Sequence, residues 1–298
     1  MKHTILGAGA IGGLLGTALA SLGNEVSLIV RREKVGRHSE TLTLERPNDV
    51  LTAKVSIVPE LAAPTDVLWI ATKTYQLEEA LDAIRMTPPA IVPLLNGIDH
   101  VALLRSRYGD ERVIPATIAV EAERTGEGRY VQRSPVRLNI AKSGEPLLAE
   151  TAQKLRDLGF LCSFIASEAT LLWSKLCFLG PFALVTSASG MNLGEILADP
   201  EWKETLNYAF AEARAVAEAF GAQIDPARVQ AIIEASPPTM RSSMAKDLDA
   251  GRRLELDGIA GPIIRGAARW GIEVPTTERL VTMIEERVRV MIAASAPR

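Results

Sequence analysis

The spacing of apolar positions changes character partway along the chain. Up to about residue 166 the apolar residues come in short runs separated by glycine, proline and polar turns. Beyond it they recur every three or four residues. The first run, Lys2-His3-Thr4-Ile5-Leu6, predicts a short buried strand. It leads through Gly7-Ala8-Gly9-Ala10-Ile11-Gly12-Gly13 into a helical pattern of Leu14, Leu15, Ala18, Leu19 and Leu22. Residues 25–30 predict a second parallel strand, and 41–44 and 53–57 two short ones. Residues 66–72 form a continuous apolar run that suits a central parallel strand. A helix burying Leu77, Leu81 and Ile84 follows, then a strand over 90–95 that ends in Asn96-Gly97. Residues 112–120 read as a strand that Pro115 confines to an edge or a bulge. Gly126-Glu127-Gly128 reads as a hairpin tip, with 137–141 as the returning strand. A helix over 145–158 and a strand over 160–165 complete this part.

In the second part, Trp202, Leu206, Ala209, Ala213, Val216 and Phe220 make one apolar stripe. Residues 227–235 and 259–270 predict further helices. Thr276 is placed to cap a last helix that buries Leu280, Ile284, Val288 and Met291. The fold class expected is therefore α/β: a Rossmann-type domain over residues 1–166, followed by an all-α domain over 167–298. The term Rossmann rests on the opening stretch, a strand, a G-x-G-x-x-G turn and a helix in direct succession. Such a turn brings backbone N–H groups and the positive end of a helix up to a pyrophosphate. The expected cofactor residues here are Gly7, Gly9, Ala10, Ile11 and Gly12. An NAD site commonly ends its second strand in an acidic residue that accepts from the ribose hydroxyl. Here the strand ends in Arg31-Arg32, which suits a 2′-phosphate and points to NADP(H). Glu33, close behind, keeps NAD open.

Length and composition narrow the rest. A chain of 298 residues with 47% hydrophobic content has room for two cores. Its net charge of −3 argues against nucleic acid as a partner. No uninterrupted apolar run is long enough for a membrane span, and the opening residues do not read as a signal peptide, so the expected location is cytoplasmic. Cys162 and Cys177 sit in apolar surroundings and read as buried, reduced thiols. His3, His38 and His100 are scattered, and no metal site is expected.

Candidate chemistry follows from position. Ligands of open α/β sheets lie beyond the carboxyl ends of the strands. That places Lys73 and Gln76, and Asn96 on the next strand end, on the cofactor side. Reduction of a carbonyl needs a proton donor. His100 begins a surface helix and is the weaker candidate. Lys175 lies within Leu171-Leu172-Trp173-Ser174-Lys175-Leu176-Cys177-Phe178-Leu179. Either its ammonium snorkels to water, or desolvation lowers its pKa toward the working range of a proton donor. Ser243, near a helix start, could cap that helix or bind a carboxylate. Glu255, between Leu254 and Leu256, is drawn inward or solvated.

These residues in this order resemble the ketopantoate reductase (2-dehydropantoate 2-reductase) family over nearly the whole chain. The resemblance rests on the glycine turn, Lys73 with Gln76, Asn96-Gly97 and Trp173-Ser174-Lys175. It continues through Ser242-Ser243-Met244, Asp247, Gly251-Arg252, Glu255 and Gly271-Ile272-Glu273-Val274-Pro275. It implies NADPH-dependent reduction of a small-molecule 2-oxo acid held between the two domains, a step in pantothenate biosynthesis. By the same resemblance Lys175 is the general acid and Glu255 orients the lysine or the substrate. Asn96 and Ser243 are substrate contacts, Lys73 and Gln76 lie on the cofactor side, and Arg31 takes the 2′-phosphate. One departure stands out. The family usually carries asparagines four and eight residues after the lysine, where this chain has Leu179 and Ala183. The loss of two hydrogen-bonding groups weakens the case for ketopantoate and favours a bulkier apolar 2-oxo acid as the alternative. A non-catalytic NADP-binding sensor is the alternative from another class. The apolar helical half is compatible with a homodimer.

Overall fold

The central strand of the first sheet is the first in the chain. β1 (Lys2–Leu6) is buried from its second residue on. It is followed by α1 (Ala10–Ser21) and β2 (Glu25–Ile29). The computed structural model describes residues 1–295. After β2 come β3 (Thr41–Glu45), β4 (Val50–Lys54), β5 (Ser56–Val58) and β6 (Val67–Ile70). Then α2 (Leu77–Leu81), β7 (Ile91–Pro93) and α3 (Asp99–Tyr108) follow. Strands β5-β2-β1-β6-β7 make one parallel sheet in that order. The chain builds outward from β1 on one side and returns to build on the other. The switch point therefore lies at the carboxyl ends of β1 and β6. β6 is buried at all four positions, which is why its sequence is an unbroken apolar run. Trp69 on β6 donates its indole N–H to His3 Nδ1 at 3.1 Å. Burial pushes the His3 pKa down to about 4, so the neutral ring accepts that bond.

The remaining elements of this part are β8 (Ala116–Ala119), β9 (Ala122–Gly126), β10 (Arg129–Gln132), β11 (Arg137–Ala141), α4 (Glu145–Asp157) and β12 (Leu161–Ile165). They complete two small sheets, β4-β3-β10-β9 and β12-β11-β8. α1 packs between the parallel sheet and the β4-β3-β10-β9 sheet. This double cover explains why α1 is apolar nearly all round. It also explains Gly13, where a methyl group would lie 1.9 Å from the Tyr130 ring.

Several boundaries differ from the sequence pattern. The expected strand over 53–57 is split: β4 belongs to one sheet and β5 to another, with Val55 between them. Ile84 lies past the end of α2, in a bridge to Leu61. The strand expected over 112–120 begins only at Ala116. Before it, Val113 bridges to Ile91 of β7 and the Ile114 N–H donates to the Ile91 carbonyl. Pro115 thus marks the crossing from one sheet to the next, and β8 is an edge strand. The hairpin tip at Gly126-Glu127-Gly128 is present, but the strand that returns from it is β10. β11 pairs with β8 instead.

The helical part consists of α5 (Glu168–Ser189), α6 (Leu193–Ala198), α7 (Pro200–Ala219), α8 (Pro226–Ala235), α9 (Ser243–Asp249), α10 (Leu256–Trp270) and α11 (Pro275–Ser295). Ala183, Leu184, Ile196, Leu206, Ala209, Ile259, Leu280 and Ile284 share one core. Asn192, Asp199 and Asp225 cap α6, α7 and α8. α11 is capped differently from the expectation. It starts at Pro275, so Thr276 is inside the helix. The N–H groups of Thr276 and Thr277 donate to the Glu212 carboxylate at 2.7 and 2.8 Å. Val288 and Met291 are half-buried, unlike Leu280 and Ile284. By length and mean composition alone α5 could cross a membrane, but Lys175 interrupts its apolar run and 61% of its most apolar window is buried inside this structure.

By packing, the chain forms two compact units. One comprises Met1–Leu95 with Asp99–Leu171, and the other Asn96–Ile98 with Leu172–Arg298. The short segment after β7 thus belongs with the helices.

Candidate active site

Two groups of residues carry chemistry, one in each unit. In the first, the glycine turn follows β1 directly. Gly7 has φ of +105°, and a methyl group on it would come within 3.0 Å of the Ala71 carbonyl oxygen at the end of β6. A methyl on Gly12 would lie 1.9 Å from the Gly7 carbonyl oxygen. Gly9 is different: a methyl there meets nothing within 4 Å. The turn is packed hard on its inner side and open at its middle glycine. α1 begins at Ala10 with no side-chain cap and no acidic residue in its first turn. Its first N–H groups, those of Ala10, Ile11 and Gly12 among them, have no intrahelical acceptor, and the first turn carries no carboxylate of its own. This arrangement fits a dinucleotide pyrophosphate. Lys73 and Gln76 lie just past β6, on the segment that packs against Gly7, and both are partly buried. Beyond β2, Arg31 and Arg32 are both exposed, and Arg32 pairs with Glu60 at 3.2 Å.

In the second unit, Lys175 lies about two turns into α5, among apolar neighbours. Its ammonium donates to Asn96 Oδ1 at 3.0 Å. The Asn96 amide donates in turn to Glu255 Oε2 at 3.2 Å. Asn96 therefore bridges a cation and an anion, using its acceptor on one and its donor on the other. Glu255 is 5% exposed and immediately precedes α10. Desolvation lowers the Lys175 pKa to about 8, and the Glu255 charge opposes that fall. The group is thus protonated at neutral pH and can give up its proton readily.

The other expected site residues fall differently. Ser243 is exposed on the first residue of α9 and does not cap it. The cap is Ser242, which accepts from the Ala245 N–H at 3.0 Å and lies 2.8 Å from the Thr186 hydroxyl. The sequence offered two adjacent serines, and only the phase of this short helix separates them. Leu179, one turn beyond Lys175, is partly buried against the helical core, and Ala183 is fully buried within it. His100 is buried at the start of α3, and His38 lies 3.8 Å from Glu127. Both cysteines are buried and unbridged. Among the described residues no cluster of ligands could hold a metal ion. The Asn96 bridge is the feature sequence reasoning missed, since its three members are far apart in the chain.

Residues 3–145 match the family model described as ketopantoate reductase PanE/ApbA, and residues 169–288 match that of its C-terminal domain. A 2-dehydropantoate 2-reductase of Caulobacter vibrioides is 30% identical over 293 residues, covering 94% of this chain and 97% of the relative. A PanE/ApbA family ketopantoate reductase from Ralstonia eutropha superposes with a TM-score of 0.85 at 25% identity, covering 97% of this chain and 99% of that one. D-mandelate dehydrogenase, solved with NADH and anilino(oxo)acetate, shares the fold at a TM-score of 0.86 and 23% identity, covering 98% of this chain and 100% of that one. With both halves of the chain matched and relatives aligned end to end, this protein belongs to the ketopantoate reductase family of dinucleotide-binding oxidoreductases.

Proposed function

We propose that this protein reduces a 2-oxo acid to the 2-hydroxy acid with NADPH, and that ketopantoate is the first substrate to test. In this reading residues 1–166 bind the cofactor and residues 167–298, joined by Asn96, carry the catalytic and substrate groups. The observation that carries it is the Lys175–Asn96–Glu255 chain, an ammonium of lowered pKa held in one direction by a bridging amide. When hydride is delivered to the keto carbon, the carbonyl oxygen takes the π-electron pair and becomes a strongly basic alkoxide. Lys175, with a pKa of about 8, is acidic enough to protonate it and basic enough to recover its proton from water. Asn96 orients the amine, and Glu255 keeps its charged form accessible in a desolvated setting. Asn96 and Ser243 are the substrate contacts.

The bound cofactor supplies the hydride. Gly7, Gly9, Ala10, Ile11 and Gly12 would hold its pyrophosphate, with Lys73 and Gln76 beside them. Arg31, exposed just beyond β2, would hold the 2′-phosphate, which favours NADPH over NADH. A second reading, a bulkier apolar 2-oxo acid as substrate, is favoured by Leu179. A leucine one turn beyond the acid offers the substrate side chain an apolar wall and no hydrogen bond. The test is turnover of NADPH and of NADH with a panel of 2-oxo acids, followed by the absorbance of the reduced nicotinamide. Turnover with ketopantoate supports the first reading, and turnover confined to apolar or aromatic 2-oxo acids supports the second. Binding of NADPH without turnover of any member refutes both.

A further inference from the structure

The Lys175–Asn96–Glu255 chain works only if Asn96, which follows a strand, is kept against Glu255, which precedes a helix 159 residues later. A glycine shortly after each supplies the means: Gly97 directly after Asn96, and Gly258 three residues past Glu255. Gly97 has φ of +75°, a conformation that side chains rarely adopt. A methyl group on it would lie 1.9 Å from the Gly258 carbonyl oxygen and 3.0 Å from the carbonyl carbon. The two backbones are therefore in direct contact. Gly258 lies in the first turn of α10, three residues past Glu255. Its carbonyl would ordinarily accept the N–H of the residue four positions on. That residue is Pro262, inside α10, which has no N–H and whose ring crowds the same carbonyl. The oxygen facing Gly97 is thus one that the helix itself leaves without its usual donor, and a Cα–H group is a weak donor suited to it.

We propose that Gly97 is a positioning residue for the reaction proposed above: its contact with the Gly258 carbonyl, freed by Pro262, holds Asn96 between Lys175 and Glu255. This inference rests on the reading of Lys175 as the proton donor. No side chain can be added at Gly97 without moving the Asn96 segment and the start of α10 apart, because the obstacle is backbone rather than a pliable side chain.

The test is Gly97→Ala in the full chain. The variant should keep its NADPH affinity, since the glycine turn is untouched. It should lose kcat by about tenfold to a hundredfold, the cost of a misplaced catalytic group. The alkaline limb of its pH–rate profile should also move, because Glu255 no longer acts on Lys175 through a fixed Asn96. The titration of Lys175, followed by NMR of labelled lysine and assigned with Lys175→Arg, should move with it. A merely structural defect would lower the melting temperature but leave that titration where it was. Should Gly97→Ala fail to fold, Pro262→Ala gives the Gly258 carbonyl a helical donor and should change kcat and the profile in the same direction, more weakly. A folded Gly97→Ala with native kcat and native profile overturns the proposal, as does Pro262→Ala with both unchanged. If Lys175→Ala turns over at the native rate, the proposed function itself falls. If Lys175→Ala is inactive while Gly97→Ala is native, the positioning role alone is refuted.

Discussion

Arg31 and Arg32 look equivalent in the sequence, and the structure separates them. Both are exposed beyond β2, but Arg32 is engaged by Glu60, which also pairs with Arg85. A charge-assisted contact to a phosphate is worth about 1.5–3 kcal/mol, so Arg31→Ala should weaken NADPH binding by roughly tenfold or more. It should leave NADH binding nearly unchanged. Titration of both cofactors by fluorescence checks this, and equal losses for the two would remove Arg31 from its role. The other candidate residues were legible to different degrees. Lys175 and Glu255 announced themselves as charges set among leucines, and both are drawn in. Their link through Asn96 was not legible, because Asn96 lies 79 residues from Lys175 and no local pattern reports such a contact. The same limit explains the pair Ser242 and Ser243. Both suit a helix start, and only the buried hydrogen bond to Thr186 shows that Ser242 is the one turned inward.

Among the elements, α1 and the glycine turn were readable because their pattern is local: strand, turn and helix are contiguous. The apolar stripe of α7 was readable for the same reason, since its period alone tells which face is buried. Strand pairing was less so. Residues 53–57 alternate as one strand should, yet Val55 marks a change of sheet. The nearest hairpin suggests β9 as the partner of 137–141, while the hydrogen bonds of β11 go to β8 and β12. Helix starts failed where the cap comes from afar. Thr276 fits the local rule, but Glu212 of α7 accepts both first-turn N–H groups and the Thr277 hydroxyl of α11. Glu212→Ala should therefore destabilise the protein by about 1–2 kcal/mol, in the range of a lost helix cap. Thermal melting should show a drop of a few degrees, with NADPH affinity retained. A Thr276→Val change should cost little by comparison, and the reverse order of effects would restore Thr276 as the cap.

At the scale of the molecule, the change from strand runs to helical periodicity was visible in the sequence, and with it the fold class. The assignment of residues 96–98 to the helical unit was not, because those residues follow a strand without any break in pattern. That transfer matters, since it puts the bridging amide in the same unit as the lysine and the glutamate. The lowered pKa of Lys175 then has two consequences of opposite sign. Protonation is complete well below pH 8, so a step that needs its proton should be fast there and slow as pH rises past about 8. Stability runs the other way. The unfolded chain would hold this proton up to the ordinary lysine value of 10.5, so this group's contribution to stability increases with pH between about 8 and 10.5. A rate that falls across that window is therefore not explained by unfolding through this residue. The most direct test is the pH dependence of kcat for the native protein and for Lys175→Ala, each with saturating NADPH and the best 2-oxo acid of the panel. The native rate should fall with an apparent pKa near 8, and Lys175→Ala should be slower by about a hundredfold or more, without that limb and with NADPH affinity intact. A Lys175→Ala protein that matches the native rate and keeps the same alkaline limb would contradict the account.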